Sequence, residues 1–304
     1  MSRTVFFGTS EFAATVLRRL AESPHRPVLA VTPPDRPRGR GRRLASPPAA
    51  DAARELEIGL TQTANVNDPE PLERIRAANP DVIAVCAFGQ LIKEPLLSSH
   101  LLLNVHPSLL PRWRGAAPIA RAIMAGDAET GVSIMRVTAG LDSGPVALQE
   151  RVPIEPEEDW GSLSARLAEI GGELLVRALD LHQAGELTFT EQDDSKATYA
   201  EKIAPDERRL DPRRPASELE AAVRALNPRP GAYLELDDGG RLGVRSARAG
   251  DGEMAVGELR ADDGELRLGC EEGALLLRTV QPPGGRPMPA EAYLLGHEIP
   301  ATAS

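Results

Sequence analysis

The chain of 304 residues contains no apolar run approaching the ~18 residues that span a membrane. Its opening, MSRTVFFGTSEF, lacks the apolar core and small-residue cleavage site of a secretory leader, so a cytoplasmic protein is expected. Cysteine is nearly absent. Cys86 lies in the run VIAVCAF and Cys270 in an expected strand 184 residues later, without metal-ligand spacing. Both read as buried thiols, and no metal site is expected. Positive charge is short as well: a net charge of −10 argues against a protein that coats nucleic acid indiscriminately. The first turn after a strand, GTSEF, has one glycine where the dinucleotide fingerprint G-x-G-x-x-G needs three, which leaves little case for a dehydrogenase.

What is present is a globular composition, 41 % hydrophobic and 26 % charged, long enough for two domains. RTVFFG, PVLAVT, DVIAVCAF and LLLNVH read as strands, the last two as continuous apolar runs covered on both faces. A helix from Glu11 with Ser10 as N-cap, and further helices near PAADAARELE, PEPLERIRAANP and KEPLLSS, alternate with them. This alternation predicts a Rossmann-like, doubly wound α/β sheet. GVSIMRV and PVALQERVPI follow as strands around the turn TAGLDSG, and then a long helix over about residues 160–184 that ends at Gly185. Gly171 and Gly172 inside that helix weaken it unless something packs closely there. A polar stretch around residues 190–206 reads as a linker between domains at 1–189 and 207–304. The second domain, with its short strands and DDGG, GDGE and DDGE turns, reads as a small antiparallel sandwich or barrel.

One stretch departs from its own pattern. In LLLNVHPSLLPRWRGAAP, residues 101–118, a core strand ends in an amide and an imidazole. Strand side chains alternate, so Asn104 and His106 share a face with Val105 opposite. Pro107 cannot continue a central ladder, which puts both at the carboxyl end of the strand, where open α/β sheets bind ligands. Arg112, Trp113 and Arg114 then offer charge and stacking, and Gly115 permits close backbone approach. Asp142, in the turn GLDSG, is the best acidic partner for His106, although taken alone it reads as an ordinary turn residue. Residues 33–48, PPDRPRGRGRRLASPP, carry Arg36, Arg38, Arg40, Arg42 and Arg43 against Asp35 alone, a local charge of +4.

NVHPSLLPRWRGAAPIARAI, GDAETGVSIMRVTAGLDSG and TYAEKI, with the opening VFFGTSEFA and the loop PDRPRGRG, together resemble the methionyl-tRNA formyltransferase family. The resemblance runs from about Val5 to near the C-terminus, densely to about residue 203 and thinly afterwards. The N-x-H-P-S-L-L-P string with a downstream D-[ST]-G is shared by folate-dependent formyltransferases generally, and the arginine loop points to the tRNA-specific branch. The resemblance implies the formyltransferase fold with an OB-like C-terminal β-barrel. It implies transfer of a formyl group from 10-formyltetrahydrofolate to the methionine amino group of initiator tRNA, chemistry that requires no metal; separately, a monomer without a membrane partner is expected. Residue by residue, Asn104, His106 and Asp142 would be catalytic, and Ser108, Leu109, Leu110 and Pro111 would line the folate site. The arginine loop, kept open by proline and glycine, would pack against the end of the tRNA.

The chemistry suits these residues. A neutral amine attacking the formyl carbon creates an oxyanion, to which the Asn104 amide and a His106 ring N–H are suitable donors. Asp142 would orient or charge His106 and take the amine proton, directly or through water. Residues 205–304 fit less well, with 13 arginines, no lysine and 18 acidic residues, a net charge of −5. Arg229, Arg241, Arg245 and Arg248 are the candidates for a basic face there. A sugar-nucleotide amine formyltransferase shares the catalytic string without needing the arginine loop. A glycinamide-ribonucleotide formyltransferase would be a shorter single domain, and a formyltetrahydrofolate hydrolase would direct water at the formyl group. A catalytically silent tRNA- or folate-binding protein is the reading from another class.

Replacing Arg36, Arg40 and Arg42 together by alanine is expected to weaken use of charged tRNA far more than folate binding. Full activity on tRNA across a salt titration would rule out the loop as a phosphate contact.

Overall fold

The computed structural model describes residues 1–38, 43–237, 239–299 and 301–303. They divide into two compact units. The first comprises Met1–Gly115, Glu129–Pro153 and Ser164–Ala200; the second comprises Ala116–Ala128, Ile154–Leu163 and Glu201–Ser304.

The first unit is built on a seven-stranded sheet. Its spatial order is Val146–Pro153, Glu129–Arg136, Leu101–His106, Val82–Cys86, Thr4–Gly8, Pro27–Thr32 and Gly59–Gln62. The last five strands are parallel; Glu129–Arg136 runs antiparallel to Leu101–His106, and Val146–Pro153 antiparallel to Glu129–Arg136. Chain order reverses between Thr4–Gly8 and Val82–Cys86, which opens a crevice at the carboxyl ends of the strands. Val5, Phe6 and Phe7 are fully buried in the central strand, as two-sided helix cover requires. On one face Val5, Phe7, Val31, Ile83, Val85 and Leu102 form a continuous cluster with Ile75 of the Pro69–Ala78 helix. The Glu11–Ala21 helix starts where its cap predicts, with Ser10 accepting from Ala13 N–H at 3.4 Å. The sequence reading missed the Gly59–Gln62 strand, a polar four-residue segment at the sheet edge with no apolar run. KEPLLSS yields only the short Leu96–Ser99 helix, because Pro95 precedes it and the Leu101–His106 strand follows almost at once.

The two glycines of the long helix, Trp160–Ala184, have the reason that the sequence left open. A Cβ on Gly171 would lie 2.7 Å from Val105 Cγ1, and one on Gly172 would lie 2.7 Å from Arg19 Cβ. The helix therefore presses its backbone onto the strand face opposite Asn104 and His106. Residues 190–200, in the polar stretch that follows, pack within the first unit: Thr190 bridges to Val146, and Tyr199–Ala200 pairs in parallel with Arg114–Gly115.

The second unit carries an antiparallel sheet with Ala232–Glu235, Arg241–Gly250, Ala274–Gln281, Glu265–Gly269 and Leu259–Asp262 in that order, Met288–Pro289 pairing with Ala274–Gln281. Ala303 bridges to Leu236 and Thr302 to Glu258, so the last residues join the two ends of this sheet in the manner of a small barrel. Leu219, Val223 and Leu226 of the Ala216–Leu226 helix fill it against Leu234, Val244, Leu266, Leu275 and Leu277. Cys86 and Cys270 are buried and free, and burial pushes the Cys270 thiol up to about 11. Among the described residues no helix is long and apolar enough to cross a membrane.

Gly171→Ala gains about 1 kcal/mol of helix propensity. It also forces a methyl into a strand whose valine is stiff and cannot retreat, a strain of about 1–3 kcal/mol. A net loss of stability is expected in urea unfolding, with partial recovery when Val105→Ala is added. A more stable single variant would show that the close approach is not under constraint.

Candidate active site at the end of the Leu101–His106 strand

His106 is 4 % exposed at the carboxyl end of its strand. Its Nε2 lies 2.9 Å from the Trp113 carbonyl, and its Nδ1 lies 3.7 Å from Asp142 Oδ2. A carbonyl can only accept, so Nε2 carries the proton. In the neutral ring Nδ1 is therefore a bare lone pair turned toward Asp142, too far from it for a hydrogen bond. Asn104, two residues earlier on the same strand face, is half-buried, and its amide makes no hydrogen bond among the described residues. A donor amide with no acceptor among the described residues suits a ligand carbonyl, and the bare ring nitrogen beside it suits a ligand N–H. No group of three or more side chains suited to a metal occurs among the described residues.

Each of these positions is held by a specific local device. Trp113 has φ +63°, a left-handed conformation that is a true outlier for so bulky a residue and that aims its carbonyl at the imidazole. The turn is clamped by the strap that follows the long helix. Trp113 N–H donates to Thr198 Oγ1 and Arg114 N–H to the Thr198 carbonyl, both at 2.9 Å. Asp142, itself at φ +46°, receives the Gly115 N–H on Oδ2 at 2.8 Å. Gly115, at φ +119°, allows this because a Cβ there would meet the Ala200 carbonyl oxygen at 2.9 Å.

Behind Asp142 stands a polar clasp. Gln192 Nε2 donates to the carbonyls of Asp142 at 2.8 Å and Gly144 at 2.6 Å. Its Oε1 accepts from Arg114 Nε at 3.0 Å and Nη2 at 2.8 Å, and Arg114 also reaches Asp194 at 2.7 Å. Arg114 is 3 % exposed, so it does not offer its charge to a ligand as the sequence suggested. It is spent inside, orienting the amide that seats the Asp142 loop. Arg112 instead stacks on the Trp113 ring, 4.5 Å from its centroid.

The Ser108–Pro111 turn has its own support. Ser108 is fully buried, its hydroxyl donating to the Arg112 carbonyl at 2.6 Å, and Leu110 is 5 % exposed, whereas Leu109 and Pro111 are only half-buried. Ser133 donates to the Ser108 carbonyl at 2.6 Å and accepts from Leu110 N–H at 3.1 Å. Gln149 adds bonds to Leu110 O and Ser133 Oγ, each at 2.9 Å. Of the arginine loop, Arg40 and Arg42 lie outside the described residues. Its base is not open chain but a two-stranded ribbon, with Arg36–Arg38 antiparallel to Arg43–Ala45 and Arg38 opposite Arg43. Arg36 is exposed.

The sequence reading missed Gln192, Ser133, Gln149 and the role of Thr198. TYAEKI was a signal for the last; a lone glutamine in a polar stretch gave none for the first.

Comparison with known proteins identifies the family. Residues 2–179 match the family model described as formyl transferase, and residues 202–298 match formyl transferase, C-terminal domain. A methionyl-tRNA formyltransferase of Halorhodospira halophila is 44 % identical over 303 residues, 98 % of this chain and 97 % of that relative. HypX from Aquifex aeolicus in complex with tetrahydrofolic acid shares the fold with a TM-score of 0.65 at 19 % identity, over 97 % of this chain and 47 % of that one. This chain thus spans about half of that longer protein. An N-formyltransferase from Helicobacter canadensis, in complex with folinic acid and dTDP-3-aminofucose, has a TM-score of 0.64 at 13 % identity, over 91 % and 99 % of the two chains. At such identities the two structures speak for the fold.

Gln192→Ala is expected to release the Asp142 loop. Amide hydrogen exchange at Gly115 and across residues 140–144 should accelerate at least about tenfold relative to the wild type, the loss of roughly one hydrogen-bonded pair. Unchanged protection would mean that the loop holds itself.

Proposed function

Since the chain belongs to the methionyl-tRNA formyltransferase family, we propose that it transfers the formyl group of 10-formyltetrahydrofolate to the amino group of methionine carried by initiator tRNA. The reaction would serve translation initiation in the cytoplasm. The observation that carries this reading is the pairing of an Asn104 amide that has no hydrogen bond among the described residues with a His106 whose tautomer is set by the Trp113 carbonyl. All three reacting side chains come from one compact unit of one chain, which suits a monomer. Residues 1–189 would be the catalytic domain and 207–304 a tRNA-binding domain, joined through 190–206.

The donor supplies the formyl carbon and a leaving N10. Asn104 donates its side-chain N–H to the formyl oxygen as charge develops there, an electrostatic contribution of several kcal/mol in comparable sites, about 3 for one donor. His106 takes the proton of the attacking amine on Nδ1, the nitrogen left bare by the Trp113 bond. The Asp142 carboxylate, 3.7 Å away, then stabilises the imidazolium. The same Nδ1–H is placed to return the proton to N10, so the ring begins and ends neutral. Leu109 and Pro111 face the folate, while Ser108 and Leu110 act by holding the turn. The arginine ribbon distinguishes this reading from an amino-sugar acceptor, since five guanidinium groups match the phosphates of an acceptor stem.

The test is transfer of labelled formyl to methionine charged on initiator tRNA, with elongator Met-tRNA and free methionine as controls. Only the initiator should be labelled quickly. Asn104→Ala should lower kcat by about 10²–10³, and His106→Ala should abolish transfer with folate still bound. Labelling of an amino-sugar nucleotide and of no tRNA would overturn the assignment.

A further inference from the structure

The second unit is acidic, yet among the described residues it leaves two neighbouring arginines without a counter-charge. Of the 13 arginines in residues 205–304, eight have a carboxylate partner, from Arg209 with Glu235 to Arg278 with Glu157. Arg248, one candidate for a basic face, is among them, sharing Glu157 with Arg278. Arg208 and Arg245 have none among the described residues, although both are half-buried.

They converge on one turn. Arg208 donates through Nε to the Gly231 carbonyl at 3.1 Å and through Nη2 to the Pro230 carbonyl at 3.0 Å. Arg245 donates through Nη1 to the Pro228 carbonyl at 2.9 Å, and through Nε and Nη2 to Gln281. Every acceptor is neutral, so the geometry of both guanidinium groups is set without cancelling their charge. Each also keeps unassigned N–H donors, since a guanidinium has five. Burial, with the nearby Arg208 charge second, pulls the Arg245 guanidinium below its ordinary value. Arg229, exposed in the same turn, also lacks a carboxylate among the described residues. Arg208 and Arg241 both lie over the Tyr233 ring, at 5.8 and 4.6 Å. Holding two like charges together on a fold with 18 carboxylates at hand costs stability unless an anion completes the site.

We propose that Arg208, Arg245 and Arg229 form a cradle for one or two phosphodiester groups of an RNA backbone, with Arg208 and Arg245 as its preset floor. Two guanidinium forks held by backbone carbonyls match phosphate oxygens bidentately and lose little freedom on binding. The site rests on the reading of tRNA as acceptor, and it reconciles that reading with the acidic composition: what contacts the backbone is a local pair, not the net charge.

The experiment compares wild type with Arg208→Gln/Arg245→Gln, and with Arg208→Lys/Arg245→Lys as a charge-retaining control. Affinity for initiator tRNA is measured by fluorescence anisotropy between about 50 and 200 mM salt. The glutamine pair should weaken binding about tenfold at the low end and reduce the slope of log K against log salt by about one to two. The lysine pair should keep most of the slope, and circular dichroism should show all three folded under the assay conditions. If wild type labels initiator tRNA while the glutamine pair keeps its slope and affinity, the site is overturned alone. If wild type labels no tRNA, the acceptor assignment fails and the site with it. Inorganic phosphate that raises the melting temperature of wild type only, with equal tRNA affinity in both, would assign the pair to a free anion and overturn the RNA occupant.

Discussion

The hydrogen bond from His106 Nε2 to the Trp113 carbonyl, at 2.9 Å, decides what the rest of the site can do. It selects the tautomer, and the tautomer decides which nitrogen meets a substrate. A carbonyl reaches that position only because Trp113 adopts a left-handed turn, and the turn persists because Thr198 bonds both to it and to Arg114. Gly115 then brings its N–H to Asp142, and Gln192 seats the same loop from behind. The candidate reacting groups are few; most of the surrounding polar atoms serve to hold them. This is the expected division of labour for a preorganised site, in which the orienting bonds are made before the substrate arrives.

Arginine has distinct uses in this chain, and its surroundings separate them. Arg114 is enclosed and bonded through Nε and Nη2 to Gln192 and Asp194. The arginines of the ribbon at Arg36–Arg38 and Arg43–Ala45 belong to a hairpin rather than a core element. Arg208 and Arg245 are intermediate, fixed by neutral oxygens but not neutralised. Net charge cannot tell these uses apart, because it sums over positions whose dielectric surroundings and partners differ.

The sheet imposes its own discipline on the site. Asn104 and His106 occupy one face of a strand whose other face, through Val105, meets the backbone of the long helix at Gly171. Pressing a helix that close demands glycine, and it explains why a strongly periodic helix tolerates two of them. The face that carries Asn104 and His106 is thereby fixed from behind by packing and from in front by hydrogen bonds.

The sequence alone determined the parts that depend on local stereochemistry. Period-two alternation put Asn104 and His106 on one face, Pro107 ended the strand, and continuous apolar runs announced a covered parallel sheet. Ser10 and Gly185 placed the ends of their helices. Asp142 needed the family resemblance, since an aspartate between glycines is an ordinary turn by itself. Only the tertiary structure decided which partners these groups acquired. Arg114 and Gln192 are 78 residues apart, and Gln192 and Asp142 are 50 apart. The edge strand Gly59–Gln62 exists because a neighbour supplies its ladder, and Gly171 has a purpose because Val105 lies beneath it. Local conformational preference is written residue by residue, whereas hydrogen-bond partners and close contacts across the chain exist only once folding has brought distant segments together.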